Sequence, residues 1–409
     1  MSQLDPKDAA PRPLSLVRLA VTALILLAAA IASFGFGWWP LGIVCVVVLL
    51  ALVAACVALG ALFVRIGFRA HSNAFIAVGH KGMKRARHSG PQLSEEELAE
   101  RRRIDEQVGF LLTVDDPPMV NDLSETDRAR IWEHRLALRS SSYAWLTQEG
   151  APTWQDVSID AEDGVRLVGH VLACNPESPR WVVLAHGYAG SYREMVLYAR
   201  HWAQRGFNLL APDMRGHGAS AGRYVGMGWL DRRDLLGWVR WLVSERGEGV
   251  RVVLHGHSMG AASVCLAAGE PDVPAQVVAV VSDCAYSSAW AMSALLLDTG
   301  VGLPVHPTLD LVRLNLRARR GGYDLARADV VAAVGRIRVP LVLLHGAQDS
   351  IVPAEMAQEL RVSYKGPRCS LLVAPGAGHC QALLSDPQAY WDAVDPLVED
   401  ALLAAPVSD

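Results

Sequence analysis

Neither an excess of charge, nor a close cysteine pair, nor an internal repeat marks this chain of 409 residues. Its 38 basic and 42 acidic residues leave a net charge of -4, so nothing in the balance points to nucleic acid. The seven cysteines are dispersed: Cys45 and Cys56 share one apolar run, while Cys174, Cys265, Cys284, Cys369 and Cys380 are scattered. That spacing lacks the close pairs of a zinc motif or a disulfide framework, and it fits free thiols in a reducing compartment. With no low-complexity tract either, the length accommodates one domain of about 250 residues plus an N-terminal attachment.

What the chain does have is Gly256-His257-Ser258-Met259-Gly260, set between the apolar run Val250 to Leu254 and the small-residue stretch Ala261 to Ala268. Strand, tight turn and helix in that order expose the central serine. The glycines let the chain reverse and leave room around a strained residue, so the Oγ stands clear of the backbone. A serine alcohol is a weak nucleophile near neutral pH, and it needs a base, an orienting acid and donors for a developing oxyanion.

Each has a candidate. His379, in Gly376-Ala377-Gly378-His379 after the run Ser370 to Val373, is the base; Asp349, in the segment from His345 to Pro353 after Pro340 to Leu344, is the acid. Asp283, after Val277 to Ser282, is the alternative acid. His186-Gly187-Tyr188-Ala189-Gly190 follows the strand-like Trp181 to Ala185, where one oxyanion N–H is expected from Tyr188, and the second comes from Met259.

These blocks, with the segment Asp213 to Ser220 in register between them, resemble the α/β-hydrolase superfamily. Within it they are similar to serine hydrolases related to prolyl-oligopeptidase-like peptidases and acyl-ester hydrolases. The resemblance covers roughly Val157 to Leu403. It implies Ser258 as nucleophile, Asp349 as acid and His379 as base, no metal or organic cofactor, and a small-molecule acyl ester, thioester or amide as substrate. It leaves a peptidase, or a binding module of the same fold without turnover, as alternatives. Asp213 and His217 are expected to shape their loop, His186 and His257 to pack within their turns, and Cys380 to pack beside His379.

The expected architecture is α/β. Trp154 to Asp160 and Val165 to Ala173 read as an antiparallel hairpin turned by Asp163-Gly164. Strand-like runs at Trp181 to Ala185, Phe207 to Ala211, Val250 to Leu254, Val277 to Ser282, Pro340 to Leu344 and Ser370 to Val373 alternate with helix-length segments. Together they make a mostly parallel eight-stranded sheet with helices on both faces. Asp386 to Leu403 supplies a closing helix. The long connection at about 285–338, with helical stretches Ala289 to Leu297 and Leu309 to Arg320, forms a small helical cap. Arg313, Arg317, Arg319 and Arg320 on it are either a solvated face or an attraction for an anionic substrate.

The N-terminal region carries two uncharged apolar segments, Leu19 to Phe36 and Leu41 to Val64, separated by Gly37-Trp38-Trp39-Pro40. Segments of about 20 residues suffice to span a bilayer, so they are expected to form a transmembrane hairpin at residues 19–64 in contact with membrane lipids. Basic residues flank both sides, Lys7, Arg12 and Arg18 before and Arg65, Arg69 and Lys81 to Arg87 after. That flank pattern places residues 1–18 and the catalytic domain, 151–409, in the cytoplasm of a multi-pass membrane protein. Cleavage after Ala30-Ile31-Ala32 is the competing reading of the first segment. Residues 65–150 form a basic and helical connector, with a capping box at Ser94-Glu95-Glu96-Glu97 starting a helix to Phe110 and a second helix from Glu125 to Arg139. The anchor, by bringing the site near lipid-derived substrates, favours an ester over a peptide.

Overall fold

A computed structural model describes residues 25–28, 31, 39–68, 123–301, 305–318 and 323–404. Its centre is one eight-stranded sheet in the order β1-β2-β4-β3-β5-β6-β7-β8. β1 (Gln155–Asp160) and β2 (Arg166–Leu172) are the antiparallel hairpin, turned at Gly164, whose φ of 77° is open to glycine at no steric cost. β3 (Arg180–Ala185), β4 (Asn208–Pro212), β5 (Arg251–His257), β6 (Val277–Asp283), β7 (Leu341–Gly346) and β8 (Cys369–Ala374) run parallel, and β2 meets β4 antiparallel.

The helices cover both faces. α1 (Trp39–Gly67) and α2 (Glu125–Thr147) precede the sheet; α3 (Val196–Gln204), α4 (Asp231–Arg246) and α5 (Met259–Ala268) follow β3, β4 and β5. α6 (Ala289–Leu295), α7 (Val305–Ala318) and α8 (Val330–Val334) lie between β6 and β7, α9 (Glu355–Ser363) between β7 and β8, and α10 (Ala382–Ser385) and α11 (Pro387–Ala404) close the chain.

Alternation along the strands divides the core in two. Val183, Val252, Leu254, Val280, Leu341 and Leu343 face one side with α4 and α5, whereas Val182, Leu184, Val253, Val281, Val342 and Leu344 face the other with α3 and α11. Strands covered on both faces read as continuous apolar runs, which is why period-two alternation is missing from their sequences.

One expectation about the N-terminal half changes, and another goes untested. The helix expected from Glu95 to Phe110 lies outside the described residues, and so does most of the first apolar segment. Among the described residues no helix is long and apolar enough to cross a membrane, which overturns the transmembrane hairpin and the multi-pass localisation built on it. The physical reason is visible at the end of α1. Val64 and Phe68 are buried in the main core, and a Cβ at Gly60 would press on Asn315 and Leu311 of α7. Apolar residues that were assigned to lipid are, in these last turns, covered by the chain's own domain. α2 begins at Glu125 as expected, with the Ser124 Oγ accepting from the Asp127 N–H at 3.1 Å, and it continues two turns past Arg139.

The long connection after β6 does carry the two helices α6 and α7. α7 packs on α1, with Leu311 and Asn315 against Gly60. Arg313 grips Asp324 with two bonds of 2.7 and 2.9 Å, so its charge is committed to holding the segment rather than to a ligand. Arg317 stands 3.9 Å from the same carboxylate, and Arg319 and Arg320 lie outside the described residues.

Candidate active site

Ser258 sits between β5 and α5 with φ 52° and ψ -120°, a conformation a residue with a Cβ adopts only when its surroundings force it, at a cost of about 1–3 kcal/mol. The surroundings are specific. Its N–H donates to the Asp283 carbonyl at 2.8 Å, and its carbonyl accepts from the Ala262 N–H at 3.0 Å. Gly256 and Gly260 are in mutual contact across the turn, and a Cβ at Gly260 would run into the carbonyl oxygens of Ala185 and His186 on β3 and beyond. Because that obstacle is backbone, Gly260→Ala is expected to destabilise the protein by about 2–4 kcal/mol or more, read as a large drop in melting temperature. An unchanged melting curve would mean that the elbow is not packed this way.

Asp349 and His379 lie in loops at the carboxyl ends of β7 and β8, one and two strands beyond β6. Main-chain bonds fix the two loops to each other: Ala347 N–H to the Ala374 carbonyl and Gln348 N–H to the Ala377 carbonyl, both at 2.9 Å. Gly346 matters here, because a Cβ would meet the carbonyls of Ala377 and Gly378. Asp349 Oδ1 accepts the N–H groups of Ile351 and Val352 at 2.9 and 2.8 Å, which leaves Oδ2 for the imidazole. His379 Nδ1 is 2.7 Å from Asp349 Oδ2, and His379 Nε2 is 2.9 Å from Ser258 Oγ. Three side chains spread over 121 residues of sequence thus form one hydrogen-bonded line.

The His186 to Gly190 segment closes in from β3. Its glycine lies against the serine: a Cβ at Gly187 would be 3.3 Å from the Ser258 Cβ and from the His257 ring. Two histidines tie this loop to the Asp213 to Ser220 loop. His186 Nε2 accepts the Met214 N–H at 2.8 Å, so its Nδ1 carries the proton and donates to the Gly187 carbonyl at 2.7 Å. His217 Nε2 accepts the Ala189 N–H at 3.0 Å, and its Nδ1 donates to the Arg215 carbonyl at 3.0 Å. Met259 opens α5, so its N–H belongs to the first turn, which has no intrahelical acceptor.

Residues 176–316 match the family described as serine aminopeptidase, S33. The esterase Pf2001 of Pyrococcus furiosus superposes with a TM-score of 0.50 at 25% identity, covering 62% of this chain and 92% of that one. These matches and the fold support an α/β-hydrolase. Among curated proteins, the hydrolase is 24% identical over 242 residues to the uncharacterized protein YqkD of Bacillus subtilis, covering 59% of this chain and 78% of the relative. It is 25% identical over 247 residues to the α/β-hydrolase domain-containing protein WAV2 of Arabidopsis thaliana, with 58% and 76% covered. The matched family and the likeness to an esterase support an α/β serine hydrolase.

Electrostatics within the hydrolase separate the candidate acids. Burial works to raise the Asp349 carboxyl, but the facing His379 charge and hydrogen bonds from His345 and His379 win and hold it well below the usual carboxylate range. Asp283 is pushed up by burial; its Oδ2 receives the Tyr198 hydroxyl at 3.4 Å, and it makes no bond to His379 among those described. His379 is raised above the ordinary imidazole range: burial opposes this, and the Asp349 carboxylate overcomes it. His186, in contrast, is pushed down to about 4 by burial, in keeping with a neutral ring that serves the loop.

Asp213 accepts the Tyr192 and Ala219 N–H groups at 3.0 and 2.7 Å, a loop-shaping role. The Tyr188 hydroxyl does not turn to the serine but donates to the Gly67 carbonyl at 3.0 Å, joining α1 to the His186 to Gly190 loop. Sequence reading overlooked Glu194, whose Oε2 is 3.0 Å from His257 Nε2, and His345, whose Nε2 is 3.3 Å from Asp349 Oδ2 and 2.8 Å from the Val352 carbonyl. The i,i+4 spacing of His345 and Asp349 was the one available signal. Cys284, expected only as one of the scattered free thiols, touches Cys380, Sγ to Sγ at 3.2 Å.

Proposed function

We propose that the protein hydrolyses carboxylic esters of small molecules through an acyl-enzyme, with Ser258 as nucleophile, His379 as general base and acid, Asp349 as its orienting carboxylate, and the N–H groups of Tyr188 and Met259 as the oxyanion hole. The observation that carries this reading is the line from Asp349 Oδ2 through His379 to Ser258 Oγ, at 2.7 and 2.9 Å. Ser258 Oγ attacks the carbonyl carbon while its proton passes to His379 Nε2. The carbonyl oxygen becomes an oxyanion facing the two main-chain donors, and on collapse the leaving alcohol takes the proton back from Nε2. Water, deprotonated by His379, then releases the acid and restores Ser258. Asp349 stays ionised throughout, holding Nδ1–H and offsetting the imidazolium charge.

A raised His379 has a consequence for pH. The base works only when neutral, so kcat/KM rises as pH rises through the His379 pKa, and the inflection is expected above the ordinary imidazole value of about 6.5. A pH–rate profile on an ester substrate that inflects below that value contradicts the Asp349 effect.

With the transmembrane hairpin overturned, proximity to lipid no longer favours an ester. The ester reading leans instead on the likeness to an esterase, and the peptidase reading on the description of the matched family. A matched panel of esters, thioesters and aminoacyl amides separates them. Turnover of esters at least tenfold above amides supports the proposal, preference for the amides assigns a peptidase, and a folded protein inactive on all three is a binding module.

A further inference from the structure

Cys284 and Cys380 lie 96 residues apart in sequence, yet each follows a residue of the site: Cys284 comes directly after Asp283 at the end of β6, and Cys380 directly after His379. Both have positive φ, 55° and 54°, in the left-handed region that non-glycine residues seldom occupy. Two such residues side by side mark a place where the fold holds groups against local preference, a pattern associated with functional sites. Their backbones are fixed, Cys284 by its N–H to the Leu344 carbonyl at 2.7 Å, and the Cys380 turn by Gln381 N–H to the Gly378 carbonyl at 3.2 Å. Their Sγ atoms and one ring nitrogen of His379 all lie within 4.8 Å of one another.

We infer that Cys284, Cys380 and His379 form an inhibitory site for a soft divalent metal ion of the Zn²⁺ type. Two thiolates and an imidazole are a recognised zinc ligand set, and a tetrahedral shell with Zn–S of about 2.3 Å and Zn–N of about 2.0 Å places ligand atoms about 3.4–3.8 Å apart. Modest side-chain rotations bring these three into that range. On binding, each thiol loses its proton to solvent, the imidazole donates a neutral nitrogen, and water completes the shell. Both ring nitrogens of His379 are already committed, Nδ1 to Asp349 and Nε2 to Ser258. Whichever the metal takes, the line to the serine loses a link.

The effect on turnover rests on the proposed role of His379, whereas the binding does not. The test uses the full chain, reduced with a phosphine and titrated separately with Co²⁺ and Zn²⁺. Co²⁺ is expected to give a near-ultraviolet thiolate-to-metal charge-transfer band, and Zn²⁺ to abolish ester hydrolysis reversibly, with recovery on adding a chelator. Cys284→Ser and Cys380→Ser should each lose the band and raise the half-inhibiting Zn²⁺ concentration at least tenfold, with basal turnover retained. Equal inhibition of the wild type and the double variant, or inhibition without the band, overturns the site. So does a reduced protein with no band whose unreduced form is lighter by two hydrogens, which assigns the pair to disulfide chemistry. If no ester is turned over, the cobalt band still decides the metal site on its own.

Discussion

Ser258→Ala is expected to lower kcat for a good ester substrate by on the order of 10⁶ while leaving the melting temperature nearly unchanged. In the proposed mechanism the serine, the imidazole and the carboxylate act as a unit, so removing the nucleophile forfeits almost everything the other two contribute. Stability should survive, because the Ser258 backbone bonds to Asp283 and Ala262 remain, and alanine keeps the same Cβ in the same strained turn. A variant retaining a tenth of the wild-type rate would move the chemistry to another residue. The assay is steady-state hydrolysis of an activated ester alongside a thermal melt.

Asp349→Asn should cost about 10⁴ in kcat with the fold intact, and the reason lies in which oxygen does what. Oδ1 accepts two main-chain N–H groups, and an asparagine oxygen can serve both. The amide nitrogen then faces His379 Nδ1, where donor meets donor. The imidazole relieves this by moving its proton to Nε2, the atom that must accept from Ser258 Oγ at 2.9 Å. The same substitution at Asp283, whose carboxyl is tied to Tyr198 rather than to His379, should leave the rate within about tenfold of wild type, the range of an indirect effect on a neighbouring loop. A larger loss at Asp283 than at Asp349 would exchange their roles.

Much of the candidate site was legible because its residues stand in short loops after apolar strands. Gly256 to Gly260, Asp349 and His379 each stand directly behind such a run, and the structure brings them to the carboxyl edge of one parallel sheet. The choice of Asp349 over Asp283 was less so. What sets Asp349 rather than Asp283 against His379 is the pinning of the β7 loop to the β8 loop through Gln348 and Ala377, a contact with no local sequence mark. The Cys284–Cys380 contact was invisible for the same reason: two scattered cysteines become neighbours only through the order of β6, β7 and β8. The N-terminal helix shows the opposite limit. Length and hydropathy report that a segment avoids water, and they are silent on whether lipid or protein covers it; Val64, Phe68 and Gly60 are covered by protein.

Covalent labelling with a fluorophosphonate probe, mapped by peptide mass spectrometry, bears most directly on the assignment of Ser258. The probe should add to Ser258 alone in the wild type, more slowly in Asp349→Asn and His379→Ala, and not at all in Ser258→Ala. Equal labelling of the wild type and Ser258→Ala, or an adduct mapped to a different residue, would contradict it.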